Sequence, residues 1–150
     1  MPKFDFHVHC YPHHLARKAL SAVPTGADAQ TDATWEGQLE FMKNSDFKRA
    51  AILNIAASPH SMHSVNSFAL EINRPDQLIM GSVHPLAEDA LAELDRLYEN
   101  GIRGVKLHTG YQQYDFDDPA AFPVYRRIGE LGMVTLIHCG PFFKTRERVV

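Results

Sequence analysis

Apolar residues recur along the chain in five short runs, each closing on a polar or small residue. They are Lys3 to His9 (KFDFHVH), Ala50 to Ala56 (AAILNIA), Leu78 to His84 (LIMGSVH), Ile102 to His108 (IRGVKLH) and Met133 to His138 (MVTLIH). Their length and richness in Val, Ile, Leu and Phe predict β-strands. Helical patterns lie between them. Asp89 to Asn100 places Leu91, Leu94, Leu97 and Tyr98 on one face, with Gly101 as a stop. Asp118-Pro119 reads as an N-cap with proline at the first helical position, followed by Phe122, Tyr125, Ile128 and Leu131, and Gly132 closes that turn. Ser61 to Asn73 and Thr34 to Ser45 predict two more helices, and a weaker one lies near His14 to Ala22. The polar, turn-rich insert Ser21 to Thr34 predicts a loop above the sheet.

Strand followed by helix, repeated, is the pattern of a parallel α/β sheet. Strand ends at His9, Ala56, His84, His108 and His138 are spaced as βα units, and five units fill residues 1–150. Three more would bring the chain to about 240 residues, near the size of a (β/α)8 barrel. The expectation is a TIM (β/α)8-type barrel of which residues 1–150 carry the first five β/α units. A complete flavodoxin-like sheet is the competing fold. It is weakened by Tyr11-Pro12-His13-His14 where a glycine-rich phosphate loop would stand.

Composition narrows the chemistry. The chain is 45% hydrophobic and 22% charged, with a net charge of −3. That is ordinary for one soluble domain and advertises neither nucleic acid nor an anionic membrane as a partner. The longest uncharged stretch, Gly132 to Phe143, is too short and interrupted to span a bilayer. The opening residues predict no secretory leader, and two cysteines, Cys10 and Cys139, make no disulfide framework. A cytoplasmic location is the expectation. Histidine is the outlier, with nine in the chain and four in the first fourteen residues.

His7 and His9 stand two apart on a strand, so both imidazoles point to one face, at the end where barrel active sites form. Two such rings suit one divalent ion, although an isolated pair could equally be core histidines. His138, at the end of the fifth strand, supplies a third ring at the same rim. Together the three predict a metal site, with zinc the first choice and manganese or iron able to use the same ligands. Lys106 and His108 form a further inward pair, suited to holding a substrate carboxylate rather than to ligation. His84 ends the third strand at that rim, as a substrate-facing residue or a turn former. Asp5 shares parity with His7 and His9 and reads as an orienter of a ligand or as a partner of Lys106. His13, His14, His60 and His63 read as solvated, and Cys10 and Cys139 as small packing residues.

DFHVH at the start and GVKLHTGYQQYDFDDPAAFPVYRRIGELGMVTLIHCG from Gly104 to Gly140 resemble the amidohydrolase superfamily, in its amidohydrolase-2 branch with the aminocarboxymuconate-semialdehyde decarboxylase relatives. The resemblance implies a metal-dependent TIM barrel that hydrolyses, or in some members non-oxidatively decarboxylates, small organic substrates. It assigns His7 and His9 to the strand-one ligand pair and His138 to the strand-five ligand. The family also uses a histidine ending strand six and an aspartate ending strand eight. Neither has a counterpart up to Val150, so the catalytic aspartate is expected beyond it. The chain alone is then expected to be inactive, and to self-associate or to need a C-terminal half. A non-catalytic metal-binding or interaction module is the alternative of another class.

Overall fold

The structure, a computed structural model, describes residues 1–22 and 29–138. Residues 23–28 of the Ser21–Thr34 insert, and Cys139 with everything after it, lie outside the described residues. Five strands form, each within or beside a predicted run: β1 (Lys3–Val8), β2 (Phe47–Leu53), β3 (Leu78–Met80), β4 (Gly104–Leu107) and β5 (Val134–Ile137). The helices are α1 (His13–Ser21), α2 (Trp35–Asn44), α3 (Pro59–Glu71), α4 (Ala90–Glu99), α5 (Thr109–Gln112) and α6 (Phe122–Glu130). A single 3-10 turn, Pro119–Ala121, precedes α6.

Local chemistry explains the helix starts. The Thr34 hydroxyl accepts the Gly37 N–H at 3.0 Å and caps α2. Ser58 and Ser61 exchange side-chain and backbone bonds as a capping box at α3, with Pro59 at the first helical position. Asp118 caps the 3-10 turn through the Ala120 N–H at 2.9 Å.

All strand pairs are parallel. β1 pairs with β2, β2 with β3, and β4 with β5. A bridge between Gly81 and Val105 joins the two sets, with Gly81 N–H donating to the Gly104 carbonyl at 3.0 Å and Lys106 N–H to the Gly81 carbonyl at 2.8 Å. The strands therefore run side by side in chain order. A flavodoxin-like sheet, ordered 2-1-3-4-5, is excluded.

The two faces of the sheet are packed differently. Ala50, Ile52, Ile79, Val83, Val105 and Leu107 join Met62, Leu94, Leu97 and Val124 from the helices in the larger cluster. Burying each of the larger of these side chains stabilises the fold by about 1.5–3 kcal/mol. Ala51, Leu53 and Met80 form a smaller cluster on the opposite face, with Phe4, Leu78 and Leu136 against it. That face is the interior of a barrel-type arrangement. Among the described residues β1 and β5 each pair on one side only, and Phe6 and Val134 on them are 66% and 59% exposed. No helix among the described residues is long and apolar enough to cross a membrane.

Candidate metal centre

Strict alternation does not carry β1 to the rim. Phe4 lies opposite Arg49 and Asp5 opposite Ala50, but Val8 lies opposite Ile52, so one extra residue enters the strand between Asp5 and Val8. Phe4 packs in the interior cluster and Val8 against the helix-side cluster. The bulge thus turns His7 and His9 inward, while Asp5 pairs on the other face. The Asp5 carboxylate accepts the His7 N–H at 3.0 Å, which fastens the bulge. This corrects the parity expected for Asp5: its carboxylate holds the backbone of His7, and among the described residues no histidine ring is hydrogen-bonded to it.

The His7 and His9 rings meet edge to face, with Nε2 atoms 3.1 Å apart. Two imidazoles on one tetrahedral zinc at about 2.0–2.1 Å hold their nitrogens about 3.3–3.4 Å apart, so the pair is close to ligand spacing. His9 Nδ1 lies 2.7 Å from the Leu53 carbonyl at the end of β2. A carbonyl only accepts, so Nδ1 carries the proton and Nε2 keeps its lone pair for an ion. Burial lowers the His9 pKa to about 4, with the charges of His7, Lys106 and His138 acting in the same direction and the Leu53 carbonyl opposing them. Burial and the Lys106 and His138 charges also lower His7, against the pull of Asp5. Both rings are held in the neutral form that ligation requires.

His138 follows β5 and lies face to face with His108, with centroids 4.0 Å apart and planes 6° from parallel. Its Nε2 is buried and has no hydrogen-bond partner among the described residues. A buried lone pair left unpaired is costly, and an ion would satisfy it. The donors therefore fit a divalent metal in kind. Their arrangement falls short of the three-way convergence expected from sequence. Among the described residues no three His, Cys, Asp or Glu side chains form a metal-binding group. His7 with His9 make one set and His138 with His108 another, near enough for their charges to interact.

The remaining candidates divide by their hydrogen bonds. His108 is 5% exposed and caps α5: its Nδ1 accepts the Tyr111 N–H at 3.1 Å. A neutral ring accepting at Nδ1 carries its proton on Nε2, as a donor and not as a ligand. Burial, with the charges of His138 and Lys106, lowers its pKa to about 4. Lys106 is 1% exposed, lies opposite Leu136 of the interior cluster, and acts electrostatically on His7, His9 and His108. His84 is buried, its Nδ1 accepts the Leu86 N–H at 3.4 Å, and burial lowers its pKa. Its carbonyl accepts the Ala87 N–H at 2.9 Å, so the residue belongs to the turn that ends the third run.

Two of the other histidines are solvent-exposed, as expected, and also meet carboxylates. His63 bridges Asp89 at 2.8 Å and Glu93 at 2.9 Å, and His13 pairs with Glu36 at 3.1 Å. Cys10 is buried, and burial with the charges of Asp32 and Glu36 raises its thiol to about 12, so it is an inert packing residue. The sequence reading missed a buried polar layer below the rim. Ser82 Oγ donates to the Lys106 carbonyl at 2.8 Å and accepts the Ala56 N–H at 3.0 Å, and Asn54 Nδ2 donates to the Met80 carbonyl at 2.8 Å. The polar interruptions Asn54 and Ser82 within apolar runs were the available signal.

A parallel α/β sheet in chain order, with histidines at the strand ends, defines the class, and the sequence comparison gives the family. The amidohydrolase profile Amidohydro_2 matches residues 4–149, and the chain belongs to that family. A search of curated proteins finds no match. Among solved structures, 2,6-dihydroxybenzoate decarboxylase complexed with 2,6-dihydroxybenzoate is similar at TM-score 0.71 and 17% identity, over 99% of this chain and 54% of that one. An amidohydrolase II structure is similar at TM-score 0.68 and 20% identity, covering 93% and 51%. IDCase of Metarhizium anisopliae in its apo form is similar at TM-score 0.66 and 17% identity, covering 91% and 50%. These neighbours are TIM barrels, and the chain spans about half the length of each.

Proposed function

We propose that the chain supplies the first five β/α units of a metal-dependent amidohydrolase-type catalyst acting on a small carboxylate-bearing molecule. His7, His9 and His138 hold one divalent ion, zinc in the first instance, while Lys106, His108 and His84 line the substrate side. The observation that carries this reading is the His9 ring, whose Nδ1 lies 2.7 Å from the Leu53 carbonyl and whose Nε2 stands 3.1 Å from that of His7. The unpartnered Nε2 of His138 supports it.

A divalent ion bound there would lower the pKa of water toward neutrality and polarise a carbonyl or carboxylate. The protein's own groups act around it. Leu53 holds the His9 ring, the Lys106 amine is placed to meet a substrate carboxylate, and His108 offers Nε2–H to a carboxylate oxygen. In hydrolysis the proton of the attacking water goes to the strand-end aspartate expected beyond Val150. The second reading is non-oxidative decarboxylation, in which the carbon–carboxylate bond breaks, carbon dioxide leaves and a proton takes its place. It is favoured by the likeness to 2,6-dihydroxybenzoate decarboxylase. The open sides of β1 and β5, with exposed Phe6 and Val134, favour association with a second copy or with the remaining units of a barrel.

The test measures zinc stoichiometry of the wild type and of His7→Ala/His9→Ala/His138→Ala, together with turnover. One zinc per chain, lost in the triple variant, supports the site, and equal zinc in both overturns it. The loaded chain, alone and combined with a C-terminal segment, is assayed for carbon dioxide release from 2,6-dihydroxybenzoate and for hydrolysis of amides and lactones. Zinc without turnover in either setting favours a non-catalytic metal-binding module.

A further inference from the structure

Three strand ends meet on one side chain. Gln112, the last residue of α5, is 1% exposed. Its Nε2 donates to the Ala56 carbonyl at 3.0 Å and to the Val83 carbonyl at 2.7 Å, and its Oε1 accepts the His108 N–H at 2.9 Å. These groups follow β2, β3 and β4. The backbone closes the same turn, with Gln112 N–H donating to the His108 carbonyl at 2.9 Å. Only an amide of this length makes the set. A carboxylate lacks donors for the two carbonyls and would bury a charge, and an apolar isostere would leave all three strand-end groups unpaired.

The consequence reaches the His108 ring. Its Nδ1 accepts the Tyr111 N–H at 3.1 Å, and it lies between Tyr111, at 4.2 Å between centroids, and His138, at 4.0 Å. The α5 turn sets which ring nitrogen bears the proton, and Gln112 sets the α5 turn against the two neighbouring strands. We propose that Gln112 is a positioning residue for the substrate side of the site, fixing the His108 ring over His138 with its Nε2–H offered to a carboxylate. The role given to His108 rests on the functional reading above, and the control of its orientation does not.

Gln112→Met and Gln112→Glu are compared with wild type and with His108→Ala. The first readout is the ring 15N shifts of the zinc-free chain. Wild-type His108 is expected to show the Nε2–H tautomer and the ring-current shift of the His138 stack. Both signatures are lost in the Gln112 variants while far-UV circular dichroism is retained. The second readout is 2,6-dihydroxybenzoate affinity of the zinc-loaded chain. Gln112→Met weakens it about tenfold, with no further loss on adding His108→Ala. A folded Gln112→Met chain that keeps the wild-type tautomer and stack overturns the proposal. Should that variant fail to fold, Gln112→Asn, with the same amide one methylene shorter, carries the same readouts. A wild type that binds no 2,6-dihydroxybenzoate counts against the functional reading, and the ring signature alone then decides the role of Gln112.

Discussion

His9 donates its Nδ1 proton to the Leu53 carbonyl at 2.7 Å, and this one bond decides which nitrogen of the ring faces His7. The mirror case stands across the site, where His108 accepts at Nδ1 from the Tyr111 N–H. Two buried imidazoles with low pKa values thus have opposite tautomers. One presents a lone pair and the other a proton, so in the proposed site the second nitrogen of each ring would separate ligand from substrate contact.

That separation makes the first prediction. His9→Ala lowers zinc affinity at least about a hundredfold, because it removes a ligand together with its oriented tautomer. His108→Ala changes zinc affinity far less and weakens carboxylate binding instead. Isothermal titration of both variants with zinc and with 2,6-dihydroxybenzoate checks the division. Equal zinc losses would defeat the tautomer argument.

Acid sensitivity follows from the same two rings. In the unfolded chain His9 and His108 take up protons below about 6.5, whereas in the fold burial holds both near 4. Between these values the unfolded state binds more protons, so metal-free stability falls as pH drops from about 6.5 toward 4. Below 4 these two rings contribute no further slope. Urea midpoints from pH 7.5 to 4 measure the effect, and His9→Gln/His108→Gln should flatten the curve in that window. An unchanged slope in the double variant would place the acid sensitivity elsewhere.

Gly81 connects the two strand sets at a close approach. A Cβ there would lie 2.6 Å from Leu97 Cδ1 and 2.9 Å from Cδ2, and Leu97 is fully buried. The Leu97 side chain cannot swing into solvent, so Gly81→Ala displaces α4 from the sheet. The expected cost is about 1–3 kcal/mol, read from chemical denaturation. Leu97→Ala on its own costs about 2–5 kcal/mol. The double variant should cost less than the sum, because the smaller residue at position 97 makes room for the new methyl. Full additivity would show that the contact is not the cause.

The strands and most helices were legible because their signals are local. Val/Ile/Leu runs mark β2, β4 and β5, Thr34 and Ser58 cap the helices they precede, and strand-end histidines announce the rim. What escaped depends on partners distant in sequence or on single side chains. The bulge that turns His7 and His9 inward arises where Asp5 captures a backbone N–H, which no periodicity records. The four-residue α5 is too short to show a pattern. Gln112 finds its carbonyls 29 and 56 residues away. His63 is exposed as expected, but its partners, Asp89 and Glu93, lie on a different helix and its cap and leave no local signal.

Those partners make the last prediction. Glu93 on α4 is 1% exposed, and its carboxylate accepts from Arg96 Nη2 at 2.6 Å, Arg96 Nε at 2.8 Å and Asn66 Nδ2 at 2.8 Å, with His63 Nδ1 at 2.9 Å. Asn66 also donates to the Ser82 carbonyl and accepts the Ser82 N–H, both at 2.8 Å, so the cluster ties α3 and α4 to the polar layer below the rim. Arg96→Ala leaves a buried charge short of two donors and costs about 1.5–3 kcal/mol, the range for hydrogen bonds to charged groups. A surface pair would cost under about 1 kcal/mol. Replacing the acid as well, in Glu93→Met/Arg96→Ala, removes the charge that needed compensation, so much of the loss should return. A double-mutant cycle in urea measures the coupling. Additive losses would mean that Glu93 is solvated and that α3 and α4 are held by apolar packing alone.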